Sequence, residues 1–228
     1  MATRPRRKRA AGRSGGRSAA PASPPRDRII DAFMTLIAER GFMAVGLADI
    51  AAAADVSLAE MREAFGGKLA ILAAFAKRID EVVLADGPAE GEGARDRLFD
   101  ISMRRLDALA PYKPALKRLA RSARRSPGLA AVLHCIAGRS QKWMHAAAGI
   151  GRGGFTGAVA LEGGLLVFAE TVRVWLEDDD RDLARTMKTL DRALDRGDRA
   201  MRMINDICGA VCRITRAPRR PSESRAAG

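Results

Sequence analysis

Apolar residues recur at helical spacing along most of this chain, and its sequence shows none of the strict apolar–polar alternation that is typical of β-strands. The first helical segment follows Pro24 and Pro25, and Gly41 is expected to end it. Two shorter segments then flank Ala54-Asp55-Val56, where we expect a tight turn. Because the helical periodicity continues to residue 216, the sequence predicts an all-α fold.

The segment from Asp49 to Phe65 predicts two short helices that each bury one face. With the tight turn between them and the supporting helix before them, they have the arrangement of a helix-turn-helix unit, a motif that binds DNA. Ser57 is expected to begin the second helix, because Ser57 and Glu60 have the spacing of a Ser-x-x-Glu capping box. Losing such a cap typically costs about 1 kcal/mol, so this serine determines where the helix starts. The residues expected to be buried are Ile50, Ala51 and Ala54 in the first helix and Leu58, Met61, Ala64 and Phe65 in the second.

Seven further helices are expected. The turn-forming segment 86–93 separates a first domain, residues 26–86, from a second domain, residues 94–216. Leu69 and Val82 belong to the apolar residues that the first of the seven helices is expected to bury. The predicted ranges are 68–85, 94–110, 113–125, 127–147, 155–176, 182–196 and 198–216.

The helix expected at residues 155–176 is apolar on several sides, so it has to be covered on several sides. Half of it is expected to face the core of the second domain, and the other half a partner subunit. Gly163 and Gly164 would let another helix approach closely. We expect no apolar stretch to reach the length of a membrane span, and therefore no integral membrane segment.

The net charge of +13 is concentrated at the two ends of the chain. Residues 1–28 carry nine Lys or Arg and one Asp, and residues 213–228 carry five Arg and one Glu, which leaves only +1 between them. Within residues 26–86, seven basic and ten acidic side chains give a net charge of −3. A DNA-binding domain gains most of its affinity from Lys and Arg on phosphates, so a net negative domain is unusual for that function.

Residues 1–25 contain no acidic side chain and too few apolar ones to fold alone. We expect a disordered basic arm that lies on DNA phosphates, with a transit peptide and a solvated tail as alternatives. A second disordered basic tail is expected at residues 217–228. The arm residues expected to contact DNA are Arg4, Arg6, Arg7, Lys8 and Arg9.

Two of the expected helices carry dense positive charge. Residues 113–125 contain six Lys or Arg and no acidic residue. A solvated face is the plain interpretation of that run, and a site for acidic headgroups or phosphates is the alternative. Residues 198–216 form an amphipathic helix that we expect to pack on the body of the protein or on a partner, with peripheral contact to an acidic membrane surface as the alternative.

The N-terminal unit resembles the DNA-binding domain of TetR-type bacterial repressors. In two places it departs from that family. Val45-Gly46 replaces the usual Thr or Ser pair, and Arg62 and Ala64 stand where the family usually has Tyr and His. Arg62 keeps the ability to bind a phosphate, which Ala64 lacks. The matching residues are Ile29-Ile-x-Ala32, Gly41-Phe42, Leu47-x-Asp49-Ile50-Ala51, Val56-Ser57, Phe65, Lys68 and Ala70-x-Leu72.

The resemblance implies a homodimeric, TetR-like transcription repressor that releases double-stranded DNA when a small apolar ligand binds its C-terminal helical domain. The dimer contacts are expected in residues 155–196, because helix-turn-helix proteins use a two-fold dimer to read paired half-sites. No cofactor is implied. The implied DNA-contacting residues of the helical part are Ser57, Leu58, Ala59, Glu60, Arg62, Glu63 and Lys68.

The C-terminal half also resembles the lipid-binding proteins of ubiquinone biosynthesis, which share the TetR fold without reading DNA. That resemblance implies, as an alternative function, an accessory protein that holds an isoprenoid lipid. It rests on Arg104-Arg105-Leu106, Pro111-Tyr112, Trp143-x4-Ala148-Gly149, Leu165 to Thr171, Asp178-Asp-Asp180 and Thr186-x3-Leu190-Asp191-Arg192. The residues expected to bind the ligand are Trp143, Phe155, Leu165, Phe168 and Trp175.

Catalytic chemistry finds little support in the sequence. His134 and His145 lie far from any carboxylate pattern, and Gly151-x-Gly153-Gly154 follows no strand, so it is not a dinucleotide fingerprint. The histidines and the three cysteines lack metal-ligand spacing, so we interpret them as small core residues, which fits a reducing cytoplasm. We therefore expect a cytoplasmic protein that is not an enzyme and binds no metal.

Overall fold

The computed structural model describes residues 24–151 and 153–215, with positions 209 and 211–215 described by their backbone only. Over these ranges it contains nine α-helices, two 3₁₀ turns at Phe42–Ala44 and Ala110–Tyr112, and no β-strand. The all-α prediction is therefore confirmed. The helices are α1 (Pro25–Arg40), α2 (Leu47–Ala53), α3 (Leu58–Ala64), α4 (Lys68–Ala85), α5 (Ala94–Leu109), α6 (Lys113–Arg124), α7 (Pro127–Ala147), α8 (Gly154–Trp175) and α9 (Ala184–Thr215).

The helix boundaries lie close to their predicted positions except at the C-terminal end. The sequence predicts two helices there, 182–196 and 198–216, but α9 is a single continuous helix. Gly197 lies inside it, where a Cβ would contact Val167 of α8 at 3.8 Å. A glycine inside a helix costs roughly 0.5–1 kcal/mol relative to alanine. The extensive packing of α9 along α8 offsets that cost.

The core of the N-terminal region forms where α1 packs on α2, α3 and α4. Ile29, Phe33 and Ile37 of α1 are completely buried, and Ile50 of α2 and Met61 of α3 are buried against them as predicted. A hydrogen bond from the N–H of Gly41 to the carbonyl of Ile37 closes α1, and the φ of 85° at this glycine turns the chain away.

Three residues that the sequence places in this core are exposed instead. Leu58, Leu69 and Val82 expose 56%, 42% and 50% of their surface. Leu58 is the first residue of α3 and is exposed at its N-terminal end, whereas Met61 is one turn further into the helix and is buried. Leu69 lines a surface groove at the start of α4, and Val82 is turned away from the core by its buried neighbour Val83.

A buried polar cluster joins α4 to the helices of the second domain. The hydroxyl of Ser140 in α7 donates a hydrogen bond to the carboxylate of Asp80 in α4 and accepts one from Arg105 of α5 at 2.6 Å. The Arg105 guanidinium also lies over the ring of Phe168 at 4.4 Å. Burial raises the pKa of Asp80 and lowers the pKa of Arg105. Removing one partner of a buried charged pair typically costs about 3–5 kcal/mol, so this cluster resists separation of the helices.

A second set of contacts ties the same helix to α1. Arg78 of α4 donates to Asp31 of α1 at 2.6 Å and to the hydroxyl of Tyr112 at 3.0 Å. The ring of Tyr112 packs edge-on against Phe75, with 4.8 Å between the ring centroids. α4 is therefore fixed to both the N-terminal helices and the turn that precedes α6.

The most apolar helix, α8, packs between α7 and α9. By length and composition it is a candidate membrane span, with a mean hydropathy of 1.4. The expectation that no apolar stretch reaches that length is therefore wrong. Only 17% of its most apolar window is buried within the chain, because one side of α8 has no covering helix among the described residues. One such helix is weak evidence for a membrane protein.

The histidines and cysteines are not uniformly core residues, contrary to the sequence-based interpretation. Cys135 is exposed and lines a surface groove, Cys208 is half-buried, and the side chain of Cys212 lies outside the described part of the chain. His134 is exposed on α7, 3.2 Å from the carboxylate of Glu162. Only His145 is buried as expected, with 6% of its surface exposed.

Gly164 allows α7 to approach α8 closely, as predicted for the glycine pair. A Cβ at position 164 would lie 2.4 Å from Nε2 of His145 and 2.9 Å from Nε2 of Gln141. A Cβ at position 163 would meet no atom within 4 Å.

These neighbouring glycines give a matched test of helix packing. We expect Gly164→Ala to lower the free energy of unfolding by about 1–3 kcal/mol, because the added methyl group overlaps two buried side chains. Gly163→Ala should be neutral or stabilising by up to about 1 kcal/mol, because alanine has the higher helix propensity. Urea unfolding curves of the two variants measure the difference, and equal stabilities would contradict the close approach of α7 and α8.

Candidate nucleic-acid interface

α2 and α3 are joined by the tight turn that the sequence predicts. Asp55 adopts a left-handed conformation with φ of 52°, which aspartate tolerates better than most residues. The N–H of Val56 then donates to the carbonyl of Ala51 at 3.0 Å, which closes the turn. At the start of α2 the N–H of Gly46 donates to the Asp49 carboxylate at 2.8 Å. The two helices form a helix-turn-helix unit supported by α1.

The N-terminal end of α3 is held by the predicted capping box. The N–H of Glu60 donates to Oγ of Ser57 at 3.1 Å, and the Ser57 N–H and hydroxyl donate to the Glu60 carboxylate at 2.7 and 2.8 Å. These hydrogen bonds, led by the one from the Ser57 backbone, hold the pKa of Glu60 below its usual value. The two side chains, both predicted to contact DNA, are therefore already bonded to each other.

The C-terminal end of α3 is held by Arg26, a residue that the sequence analysis does not single out. Its guanidinium donates to the carbonyl of Ala64 at 2.8 Å and lies over the ring of Phe65 at 4.3 Å. No local pattern indicates this contact, because Arg26 and Ala64 are 38 residues apart in the chain. α3 is thus anchored at both of its ends.

The outer side of α3 presents the remaining predicted contact residues to the surroundings. Leu58, Ala59, Arg62 and Glu63 are all exposed. Over residues 24–151 and 153–215, Arg62 makes no ion pair, so its guanidinium is available to an outside acceptor. The outer surface of the helix therefore combines a small apolar area with one cation and one anion.

Lys68 lies at the start of α4, but its ammonium group is directed into the chain. Nζ donates to the carbonyls of Phe42 and Val45 at 3.0 and 2.8 Å and lies 4.6 Å from the centroid of the Phe42 ring. Burial lowers the pKa of Lys68. An ammonium group has three donors, so one donor is left for a phosphate. The main role of Lys68 in this structure is to fix the loop that leads into α2.

The other predicted DNA contacts, Arg4, Arg6, Arg7, Lys8 and Arg9, lie outside the described residues, as does the basic tail at 217–228. The expected arm and tail therefore stay predictions from the sequence.

A cavity of about 380 Å³ lies in the second domain between α5, α7, α8 and α9. Nε2 of His145 is buried there and has no hydrogen-bond partner among the described residues. Burial lowers the pKa of His145, so the imidazole is neutral at pH 7. A buried polar atom without a partner costs about 1–3 kcal/mol, a cost that a bound group able to pair with it would remove. The rest of the lining is mainly apolar and includes Leu98, Ile150, Val159, Val167, Leu194, Met201 and Ile204.

None of the five residues predicted to bind a ligand lines this cavity. Trp143 and Phe155 expose 61% and 73% of their surface on the outside of the molecule. Leu165, Phe168 and Trp175 are buried in the core of the second domain. Apolar periodicity alone does not distinguish a core position from a cavity wall. The usable signal was the glycine pair, because Gly163 and Gly164 both line the cavity.

Comparison with known proteins supports the helix-turn-helix assignment. The family model for bacterial regulatory proteins of the tetR family matches residues 29–75, which extend from α1 into α4. Among curated proteins, none is similar enough to count as a match.

Solved structures of regulators share the fold over most of the chain. A TetR transcriptional regulator from Nitrosomonas europaea is 27% identical with a TM-score of 0.60, and the alignment covers 77% of this chain and 98% of that one. A TetR transcriptional regulator from Rhodococcus sp. RHA1 is 19% identical with a TM-score of 0.54, covering 76% of this chain and 95% of that one. One from Streptomyces coelicolor is 17% identical with a TM-score of 0.51, covering 82% and 89%. The capped helix-turn-helix unit and the matching family model identify residues 29–75 as a helix-turn-helix domain of the tetR type, and the described chain shares the fold of a TetR transcriptional regulator.

Proposed function

We propose that the chain is a homodimeric repressor that binds operator DNA through α3 and releases it when a small, largely apolar ligand enters the second domain. The observation that carries this proposal is the anchoring of α3. Ser57 and Glu60 hold one end, Arg26 holds the other, and the outer side chains between them are exposed. A helix held in this way can enter the major groove without losing its orientation.

The outer residues of α3 have the chemistry for reading base edges. Arg62 can donate two hydrogen bonds to guanine or bind a backbone phosphate, and Glu63 can accept from the N4 amino group of cytosine. Leu58 and Ala59 offer apolar contact to a thymine methyl group. Glu60 is engaged in the cap, so we assign it to helix positioning together with Ser57.

The basic arm supplies charge that the helix-turn-helix domain lacks. Residues 26–86 have a net charge of −3, whereas residues 1–25 contain seven Lys or Arg and no acidic residue. Contacts between such an arm and phosphates release bound counterions, which makes the affinity depend steeply on salt.

Removing Arg62 and the arm together tests this DNA-binding surface. We expect Arg62→Ala combined with deletion of residues 1–20 to weaken DNA binding and to flatten its dependence on salt by roughly 1 logarithmic unit for each phosphate that is no longer bound. Fragments retained from a genomic library at low salt would serve as the DNA, and affinities would be measured at several salt concentrations. Arg199→Ala, at an exposed position of α9 outside both the helix-turn-helix domain and residues 155–196, is the matched control. An unchanged salt slope in the doubly altered protein would refute the arm model.

The uncovered side of α8 supports the proposal that the chain dimerises through residues 155–196. Phe155 and Leu166 of α8 and Met187 of α9 are exposed by 73%, 61% and 38%. Exposed apolar surface on neighbouring helices is typical of protein–protein contacts. A two-fold axis through this surface would present two copies of α3 to successive half-sites on one face of the duplex.

Placing a charge on this surface should separate the subunits. We expect Leu166→Glu to shift the protein from dimer to monomer in sedimentation analysis and to weaken DNA binding in parallel. Val82→Glu adds the same charge at a comparably exposed apolar position of α4 and should leave the dimer intact. A Leu166→Glu protein that still sediments as a dimer would place the interface elsewhere.

The cavity in the second domain is the proposed site of ligand response. Its mainly apolar walls suit a mainly apolar molecule, and the unpaired Nε2 of His145 together with the charged side chains of Arg95 and Asp198 suits polar groups on that molecule. His145 and Ser140 lie on the same helix, and Ser140 bonds to Asp80 of α4. A ligand that displaces α7 would therefore move α4 and change the spacing of the two copies of α3. The five residues predicted from the sequence to bind the ligand stay untested as contacts.

A TetR-fold accessory protein that carries an isoprenoid lipid without reading DNA is the second candidate function. It is favoured by the negative charge of the helix-turn-helix domain and by the inward orientation of Lys68. Mass spectrometry distinguishes the two functions. A co-purifying isoprenoid lipid together with no DNA retention at low salt would establish the lipid carrier.

Burial of His145 predicts a specific dependence of stability on pH. Its pKa is lowered in the folded chain from a normal value of 6.5, so the unfolded chain binds the proton more readily. Stability is therefore complete above pH 6.5 and decreases as the pH falls from there through the folded-state pKa. We expect His145→Gln to remove this part of the pH dependence, whereas His134→Gln, at the exposed histidine of the same helix, should retain it. Thermal unfolding between pH 7.5 and 5.5 measures the difference, and identical profiles would contradict a buried neutral imidazole.

A further inference from the structure

α6 forms a strongly basic edge of the second domain. Residues 113–125 contain six Lys or Arg and no acidic side chain. The helix buries Ala115 and Leu119 against its neighbours, so its charged side faces outward.

The cations in the first half of α6 are neutralised within the chain. Lys113 donates to the carbonyl of Asp178 and lies 3.7 Å from the carboxylate of Asp179. Lys117 lies 3.9 Å from the carboxylates of both Glu177 and Asp179. The loop after α8 thus supplies the counter-charges for these two lysines.

The arginines of α6, together with Arg125 directly after it, have no such partners. All four are exposed, and none forms an ion pair with any residue in 24–151 or 153–215. The structure therefore concentrates its unneutralised charge at the C-terminal end of the helix. These residues are Arg118, Arg121, Arg124 and Arg125.

This end of α6 lies beside the helix-turn-helix unit. α6 packs along α1 and reaches the 3₁₀ turn Phe42–Ala44, which leads into α2. Just beyond α6, Ser126 and Gly128 line a surface groove together with Leu47 and Lys68, the first residues of α2 and α4. The arginines therefore lie near the two helix starts that flank α3. The start of α4, a helix of 18 residues with no acidic residue in its first turn, is a favourable place for a phosphate group, because its N–H groups and dipole attract anions.

The charge balance makes this position significant. A helix that enters the major groove has backbone phosphates on both sides, yet residues 26–86 carry a net charge of −3. Glu60 contributes to this excess of negative charge, because its lowered pKa keeps it ionised at the start of α3. Four unneutralised arginines beside the same unit outweigh that deficit, and a guanidinium group can bind a phosphate through two hydrogen bonds.

We infer that Arg118, Arg121, Arg124 and Arg125 bind backbone phosphates of the operator beside α2, so that the second domain contributes directly to DNA affinity. The inference rests on the proposed DNA-binding function and adds a contact surface outside the helix-turn-helix domain. A membrane surface fits α6 less well. Helices that bind membranes insert an exposed apolar face, and the apolar face of α6 is buried.

The test removes three of these charges and compares the result with an equal loss elsewhere. In the full-length chain, Arg121→Gln, Arg124→Gln and Arg125→Gln are combined, and the control combines Lys142→Gln, Arg199→Gln and Arg202→Gln, three exposed cations outside α6 and outside residues 155–196. We expect the α6 variant to flatten the plot of log affinity against log salt by about 1–3 units per protomer, because each phosphate that is no longer neutralised removes about 0.9. The control should match the wild type. Circular dichroism and sedimentation check that both variants fold and dimerise.

The outcomes separate this inference from the proposed function. Wild-type binding with equal slopes in the wild type and the α6 variant would overturn the inference and leave the proposed function intact. An equal loss of salt dependence in the α6 variant and the control would also overturn the inference, because the change would then be a general effect of charge. If the wild type retains no DNA, both the inference and the proposed function are refuted. Binding of the wild type to phosphatidylglycerol vesicles, abolished only in the α6 variant while DNA affinity is unchanged, would overturn the inference in favour of a lipid surface.

Discussion

Helix α3 is seven residues long, which is too short for a helix to be stable alone in water. Its existence and its orientation therefore depend on contacts at its ends. The Ser57–Glu60 capping box holds the N-terminal end, Arg26 holds the C-terminal end, and Met61 fixes the inner side against α1. Lys68 adds a further constraint by binding the loop carbonyls of Phe42 and Val45 next to α2. The short helix is thereby positioned by three contacts, two of which involve residues distant in the chain.

The same constraint shapes the electrostatics and the communication between domains. A carboxylate in the cap stabilises α3 but repels phosphates, so cations must come from elsewhere, and the chain has them in its N-terminal arm and on α6. α4 carries the mechanical link. It begins at Lys68 beside the helix-turn-helix unit and is bonded through Asp80 and Ser140 to α7, the helix that supplies His145 to the cavity. In the proposed ligand response, a change at the cavity would reach the helix-turn-helix unit through α7 and α4.

Much of this arrangement could be predicted from the sequence. The rest could not, and the reasons are physical. The capping box, the turn at Asp55 and the core face of α1 are local patterns, and the structure confirms them. Leu58 and Leu69 are exposed although the sequence predicts them to be buried, because apolar periodicity identifies a stripe but not whether a neighbour covers it. The sequence predicts two helices where α9 is one, because Gly197 and the charges next to it resemble a helix boundary. The packing against α8 that keeps the helix continuous is not visible in the sequence. The contact of Arg26 with α3 and the Asp80–Ser140–Arg105 cluster depend on residues distant in the chain, for which a single sequence carries no signal.

The most direct test of the central claim is methylation interference on a DNA fragment that the protein retains. Methylation of guanine N7 places a group in the major groove, where α3 is proposed to lie. The account predicts that methylation blocks binding at guanines in two symmetric half-sites about one helical turn apart, or a multiple of it. Binding that tolerates methylation at every guanine, or interference without two-fold symmetry, would contradict the placement of α3 in the groove.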